Sequence, residues 1–176
     1  MSPVSAVLQI VVLALAFVAG AAPTGVQAQG LLTVQRLSAP LANELVGETV
    51  AICAKRGYKV VAIVVDLEGV RQAVLRGDGS PIHSMDNAYY KAYSAASLTL
   101  GRKEGSTKEV AERMAKNAPS SVPNTPLPNV TYGVGGVAIT AGGNIIGGIG
   151  VSGAPGGQLD EACAREALAK IQDRMK

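Results

Sequence analysis

The chain has 176 residues, with 16 lysines and arginines against 13 aspartates and glutamates, a net charge of +3, and 48% apolar residues whose aromatic share is five tyrosines and one phenylalanine. That balance excludes a disordered tail and a collagen-like repeat. Basic residues come in ones and twos with acids nearby, as at Lys55-Arg56 and Arg102-Lys103, so no nucleic-acid partner is expected.

No charged side chain precedes Arg36. Residues 6–20 form an apolar run shorter than the roughly 20 residues that cross a bilayer, and Pro23, Gly25 and Val26-Gln27-Ala28 follow it. This reads as a signal peptide cleaved after Ala28. The expected organisation is therefore a cleaved segment, 1–28, and one domain, 29–176, too short for two cores. Its expected location is periplasmic or extracellular, with no membrane span after cleavage. An oxidising space would let Cys53 and Cys163 pair. Both fall on apolar helix faces, where burial without bonding is the expectation and pairing the alternative.

Ser38 caps a predicted helix with Pro40 in its first turn, and Leu41, Leu45, Val46, Thr49, Ile52 and Cys53 share one face of it. Gly57 ends that helix. Tyr58 to Val65 and Val70 to Leu75 read as a hairpin around Leu67-Glu68-Gly69. A second helix is predicted from about Met85 to Leu98, with alanines that permit close packing. Ser106-Thr107-Lys108-Glu109 has the capping-box pattern and opens a third helix to about Asn117. The proline-rich stretch 118–129 reads as a loop. Beyond it, 11 of the 21 glycines fall between Thr131 and Asp160, so the chemistry of the chain changes there. Two strands, Gly136 to Thr140 and Asn144 to Val151, and a last helix from about Gln158 to Arg174 complete the order. Helices mixed with two hairpins favour an α+β domain with an antiparallel sheet.

Gly148-Ile149-Gly150-Val151-Ser152-Gly153 matches the dinucleotide fingerprint. The match is read as empty, because the chain shows no second parallel strand bearing a ribose-binding acid. The expectation is instead that these glycines let something flat or bulky approach the strand, in a cleft between it and a small-residue helix.

Several segments, taken in order, resemble the GlcG/HbpS family and the related C-terminal domain of PduO adenosyltransferases. They are Val64-Val65-Asp66-Leu67-Glu68-Gly69, Arg76-Gly77-Asp78-Gly79, Lys91-Ala92-Tyr93-Ser94-Ala95-Ala96, Gly135-Gly136-Val137-Ala138-Ile139, and Ile146 to Pro155 followed by Asp160-Glu161. The resemblance implies a five-stranded antiparallel sheet flanked by helices, a layered profilin-like or roadblock-like architecture. It also implies homo-oligomers, haem binding in several members and, for some exported members, a membrane sensor protein as partner.

Iron needs an imidazole, thiolate, thioether, phenolate or, weakly, a hydroxyl donor. His83 is the one histidine, so two-histidine ligation within one chain is impossible. PduO-type domains use a histidine of their first helix, which this chain lacks. Secreted haem-binding relatives place a hydroxyl where Ser94 stands, so Ser94 and His83 are the candidate metal ligands. Tyr90 and Tyr93 are candidate haem contacts from the same helix, each with packing as its ordinary alternative. Arg76 and Lys91 could meet the two propionates, or pair with Asp66, Asp78 or Asp86. A single histidine with no cysteine beside it leaves neither a nucleophile with its base nor a metal cluster, which favours a binding protein over an enzyme. The expected function is an exported haem- or tetrapyrrole-binding protein in sequestration or sensing. The alternatives are a ligand-free oligomeric module and a haem-dependent redox enzyme.

Overall fold

The computed structural model describes residues 30–117 and 125–175, and the expected signal peptide, its cut and residues 118–124 lie outside them. Residues 34–175 belong to one compact unit. Its elements are α1 (Ala39–Lys55), β1 (Val61–Val65), β2 (Arg71–Arg76), α2 (Ser84–Leu98), α3 (Thr107–Asn117), β3 (Gly136–Ala141), β4 (Asn144–Ser152), α4 (Gly157–Ile171) and a final 3-10 turn (Gln172–Arg174). Among the described residues no helix is long and apolar enough to cross a membrane.

Local chemistry explains the boundaries. Ser38 accepts the Leu41 amide and Pro40 sits where a missing N–H costs nothing, so α1 starts there. Ser106 accepts the Glu109 amide, and the Glu109 carboxylate returns to the Gly105 amide, one residue before the usual capping-box partner. Glycine at position 69 supplies the positive φ of the β1–β2 turn.

The four strands run antiparallel in the order β2-β1-β4-β3. This corrects the expected count of five. The two hairpins visible in the sequence supply all four strands among the described residues. At the outer edge of β3, where another strand could have paired, stands only an isolated bridge between Ser106 and Val137, with the Ala138 amide bonded to the Gly105 carbonyl.

Helices cover both faces. Leu45, Val46 and Cys53 of α1 and Cys163, Ala167 and Ile171 of α4 pack on Ala62, Val64, Ile149 and Val151. Ala88, Tyr89, Ala92 and Ala96 of α2 pack on Val61, Ile63 and Val65 from the other side. With neighbours above and below, all five residues of β1 are buried.

Cys53 and Cys163 form a disulfide, with Cα atoms 5.6 Å apart, which corrects the expectation of two free buried thiols. Helices α1 and α4 lie side by side on one sheet face, and that brings their cysteine-bearing sides together. Arg56, at the end of α1, reinforces the join with an ion pair to Glu166 and a contact to the Cys163 sulfur at 3.8 Å. A link spanning 110 residues restricts the unfolded chain strongly. Replacing both cysteines by alanine is expected to cost up to about 5 kcal/mol, on the loop-entropy scale for a closure of roughly 100 residues. Urea unfolding of the variant beside the oxidised wild type measures it, and equal midpoints would contradict the assignment.

Candidate functional site

Helix α2 carries most of the candidate site, and glycine decides where that helix lies. In β4, Ile149 and Val151 point toward α1 and α4, so Gly148 and Gly150 present bare backbone to α2. A Cβ at Gly150 would stand 2.0 Å from the Ala88 carbonyl oxygen, and one at Gly148 would stand 2.4 Å from that of Ala92. Gly136 of β3 repeats the arrangement, 2.2 Å from the Lys91 carbonyl oxygen. The expected cleft between glycine strand and small-residue helix is therefore closed. What approaches the glycines is the backbone of α2, not a macrocycle, because alanines and glycines on the two elements let them meet without side chains between.

The same close approach fixes Lys91. Its ammonium donates to Asp160 Oδ2 at 2.8 Å and to the Val151 carbonyl at 2.9 Å, and both side chains of the pair are almost wholly buried, 6% and 3% exposed. Asp160 Oδ1 accepts the Ala154 amide, so the carboxylate is bonded at both oxygens. Burial pushes the Asp160 carboxyl above the usual range, opposed by the charge and hydrogen bond of Lys91 and by the Ala154 amide. Lys91 thus stands in the core rather than at a pocket rim, and its partner is Asp160 instead of Asp66, Asp78 or Asp86.

Ser94 is fully buried, and its hydroxyl oxygen accepts the Thr131 amide at 2.8 Å. Iron could reach that oxygen only by displacing residues around Thr131. Tyr93 packs its ring over Gly69 in the β1–β2 turn, where a Cβ would lie 2.7 Å from the ring. Tyr89 donates its hydroxyl to the Gly69 carbonyl and lies beneath the Arg71 guanidinium, 3.5 Å from the ring centroid. Arg76 donates from Nε and Nη2 to the Ser80 carbonyl at 3.1 and 2.6 Å, instead of pairing with an aspartate.

Besides Arg76, exposed at the end of β2, two candidates face solvent. His83 stands at the start of α2, exposed and with no capping bond from its side chain. Tyr90 is 37% exposed. His83, Asn87, Tyr90 and Ser94 recur at helical spacing, so they form one stripe with Ser94 at its covered end. Asn87 anchors the middle by donating to Ser152 Oγ at 2.9 Å. Sequence reasoning missed Asp160 as the partner of Lys91 and Thr131 as the cover of Ser94. The Asp160-Glu161 pair was visible in the resembling segments, whereas nothing local marks Thr131.

Neither of two surface grooves, about 330 Å³ beside Tyr58 and Lys59 and about 370 Å³ beside Leu37 and Arg174, includes any of the six candidate residues. Among the described residues no group of three histidine, cysteine, aspartate or glutamate side chains is placed to hold a metal ion. Of the six candidates, the exposed iron donors are the His83 imidazole, just before α2, and the Tyr90 phenol on it.

A family model described as haem degrading protein HbpS-like matches residues 37–169. A double mutant of Streptomyces reticuli HbpS, solved by crystallography, is 33% identical over 87% of this chain and 99% of that one, with a TM-score of 0.72. A PduOC–haem complex is 25% identical over 78% of this chain and 96% of that one, TM-score 0.68. Klebsiella pneumoniae ORFY, 24% identical over 83% and 97%, shares the fold at a TM-score of 0.71. No curated protein matches.

Removing Lys91 alone would strand a buried carboxylate. Lys91→Met is expected to lower stability by about 3–5 kcal/mol, while Lys91→Met with Asp160→Leu recovers most of that loss. Chemical denaturation of the two single variants and the double variant reads the coupling. Additive losses would show that the pair does not act as one unit.

Proposed function

The chain belongs to the HbpS-like family, and on that premise we propose that it is an exported protein binding haem or a similar tetrapyrrole through the outward stripe of α2, in sequestration or sensing. The observation that carries the reading is the match across residues 37–169 to a haem-named family, joined to a relative solved with haem. Export is supported by the charge-free front of the chain and by the Cys53–Cys163 disulfide, a bond that persists in oxidising compartments. Homo-oligomers and a membrane sensor partner belong to the same reading.

The residues present fit haem in one respect and limit it in another. His83 supplies the strongest iron donor of the chain in an exposed position, with Tyr90 two turns along the same stripe. Bound haem would supply its iron chemistry there, while the protein's part is ligation by His83 and contact with the Tyr90 ring. Arg71 and Arg76 are the exposed cations of neighbouring β2 that could meet propionates. Ser94, Tyr93 and Lys91 are engaged in the fold and are not expected to touch the ligand. Among the described residues that face covers only one side of a porphyrin, which needs a second wall to be held. Degradation of haem would need the same surface first, which makes binding the step to test.

One observation favours a ligand-free interaction module as the second reading: the glycine face that could have admitted a flat ligand is filled by α2. Titrating haemin into the purified protein while following the Soret band separates the two. Saturable binding with a shifted band is expected, with the shift lost in His83→Ala and kept in Ser94→Ala and Tyr93→Phe. An unshifted band at all protein concentrations would favour the module.

A further inference from the structure

The groove of about 330 Å³ opens between the end of α1, the chain leading into β1 and the turn after β2. Val50, Ala54 and Val60 give it apolar lining, and Lys59 and Asp78 stand on its walls. Elsewhere the surface pairs its charges, as Lys170 does with Glu48 and Arg174 with Glu44. Lys59 and Asp78 do not follow that habit. Among the described residues neither side chain has an ion pair or a hydrogen bond, with the other or with any neighbour.

Both groups are nevertheless held in place. The turn that carries Asp78 is tied by the Gly77 amide and the Ser80 hydroxyl, which both donate to the Val60 carbonyl, and by the Ser80 amide, which donates to that of Gly77. The Arg76 guanidinium closes the turn on the Ser80 carbonyl. Lys59 lays its stem along the same turn, where a Cβ at Gly79 would stand 3.1 Å from its Cδ and 3.2 Å from its Nζ. Glycine at position 79, with a φ of 72°, leaves the ammonium that room.

Two opposite charges, fixed on one groove and unpaired, select for a ligand that carries both signs. A lone carboxylate would gain from Lys59 but meet Asp78, and a lone amine would have the reverse difficulty. The volume lies at the low end of small-molecule sites, which run roughly from 300 to 1,000 Å³, and so suits a molecule of amino-acid size rather than a tetrapyrrole. We propose that this groove binds a small zwitterion, an α-amino acid whose carboxylate pairs with Lys59, whose ammonium pairs with Asp78, and whose apolar side chain lies on Val50 and Ala54. This site goes beyond the haem reading and does not depend on it.

The probe is L-leucine, followed by saturation-transfer and chemical-shift titration on the purified protein. Wild type is expected to bind leucine saturably, and more tightly than isocaproate or isoamylamine, which keep the apolar chain with one charge each. Lys59→Gln and Asp78→Asn are each expected to weaken leucine binding about three- to fivefold, the scale of an exposed ion pair. The first spares isoamylamine and the second spares isocaproate. Ala54 is an exposed helix position, so Ala54→Phe is expected to fill the groove and abolish leucine binding with an unchanged circular dichroism spectrum. No saturable leucine binding to wild type, equal binding of the three probes, or leucine binding untouched by Ala54→Phe overturns the proposal. Failure of haemin to shift its Soret band would count against the haem reading alone.

Discussion

The contact between the backbone of α2 and the glycines of β4 and β3 sets the rest of the molecule. Three positions, Gly136, Gly148 and Gly150, have no room for a Cβ against the carbonyls of Lys91, Ala92 and Ala88. With the helix that close, Ala88, Ala92 and Ala96 reach Val61, Ile63 and Val65 without larger residues between them. Tyr89 and Tyr93 are pushed to the flank beside Gly69, and Lys91 is carried inward to Asp160. Any side chain at Gly150 would lift the helix and disturb all of these together.

The Lys91–Asp160 pair is the electrostatic counterpart of that packing. It joins α2 to the first turn of α4, and through the Val151 and Ala154 backbone it also secures the end of β4. Asp160 lies near the positive end of α4, which favours its carboxylate, while burial works in the opposite direction. Because burial prevails and the folded-state pKa is raised, the folded chain holds this proton more tightly than the unfolded one. The penalty for ionising Asp160 is present above that pKa and fades as pH falls through it. Acid therefore relieves a cost at this carboxyl, while it removes the partner of Lys91.

The elements were legible wherever a local rule governs them. Ser38 and Pro40, the Ser106–Glu109 box, the turn at Gly69 and the alternation Gly148-Ile149-Gly150-Val151 each place an element from a few adjacent residues. What could not be read depends on distant pairs. Nothing near Cys53 says that Cys163 faces it, and nothing near Lys91 says that Asp160, 69 residues away, receives its proton donor. The glycine pattern was informative about close approach but silent about what approaches. The fifth strand came from resemblance rather than from a hairpin in the residues, and the described sheet holds only what the two hairpins provide. Of the candidate ligands, helical spacing puts Tyr90 and Ser94 on one face of α2, but it could not show that Thr131 covers Ser94.

The edge strand β2 and the open stripe are linked by a short connection. Arg76 ends β2, and its guanidinium bonds to the Ser80 carbonyl three residues before His83. The same connection carries Ile82, the most exposed large apolar residue between β2 and α2. At the start of α2 the described residues offer an imidazole and a phenol but only one wall. The described residues form too little concave apolar surface there to hold a macrocycle by themselves. Among the described residues the physical deficit of the stripe is a missing wall rather than a missing donor.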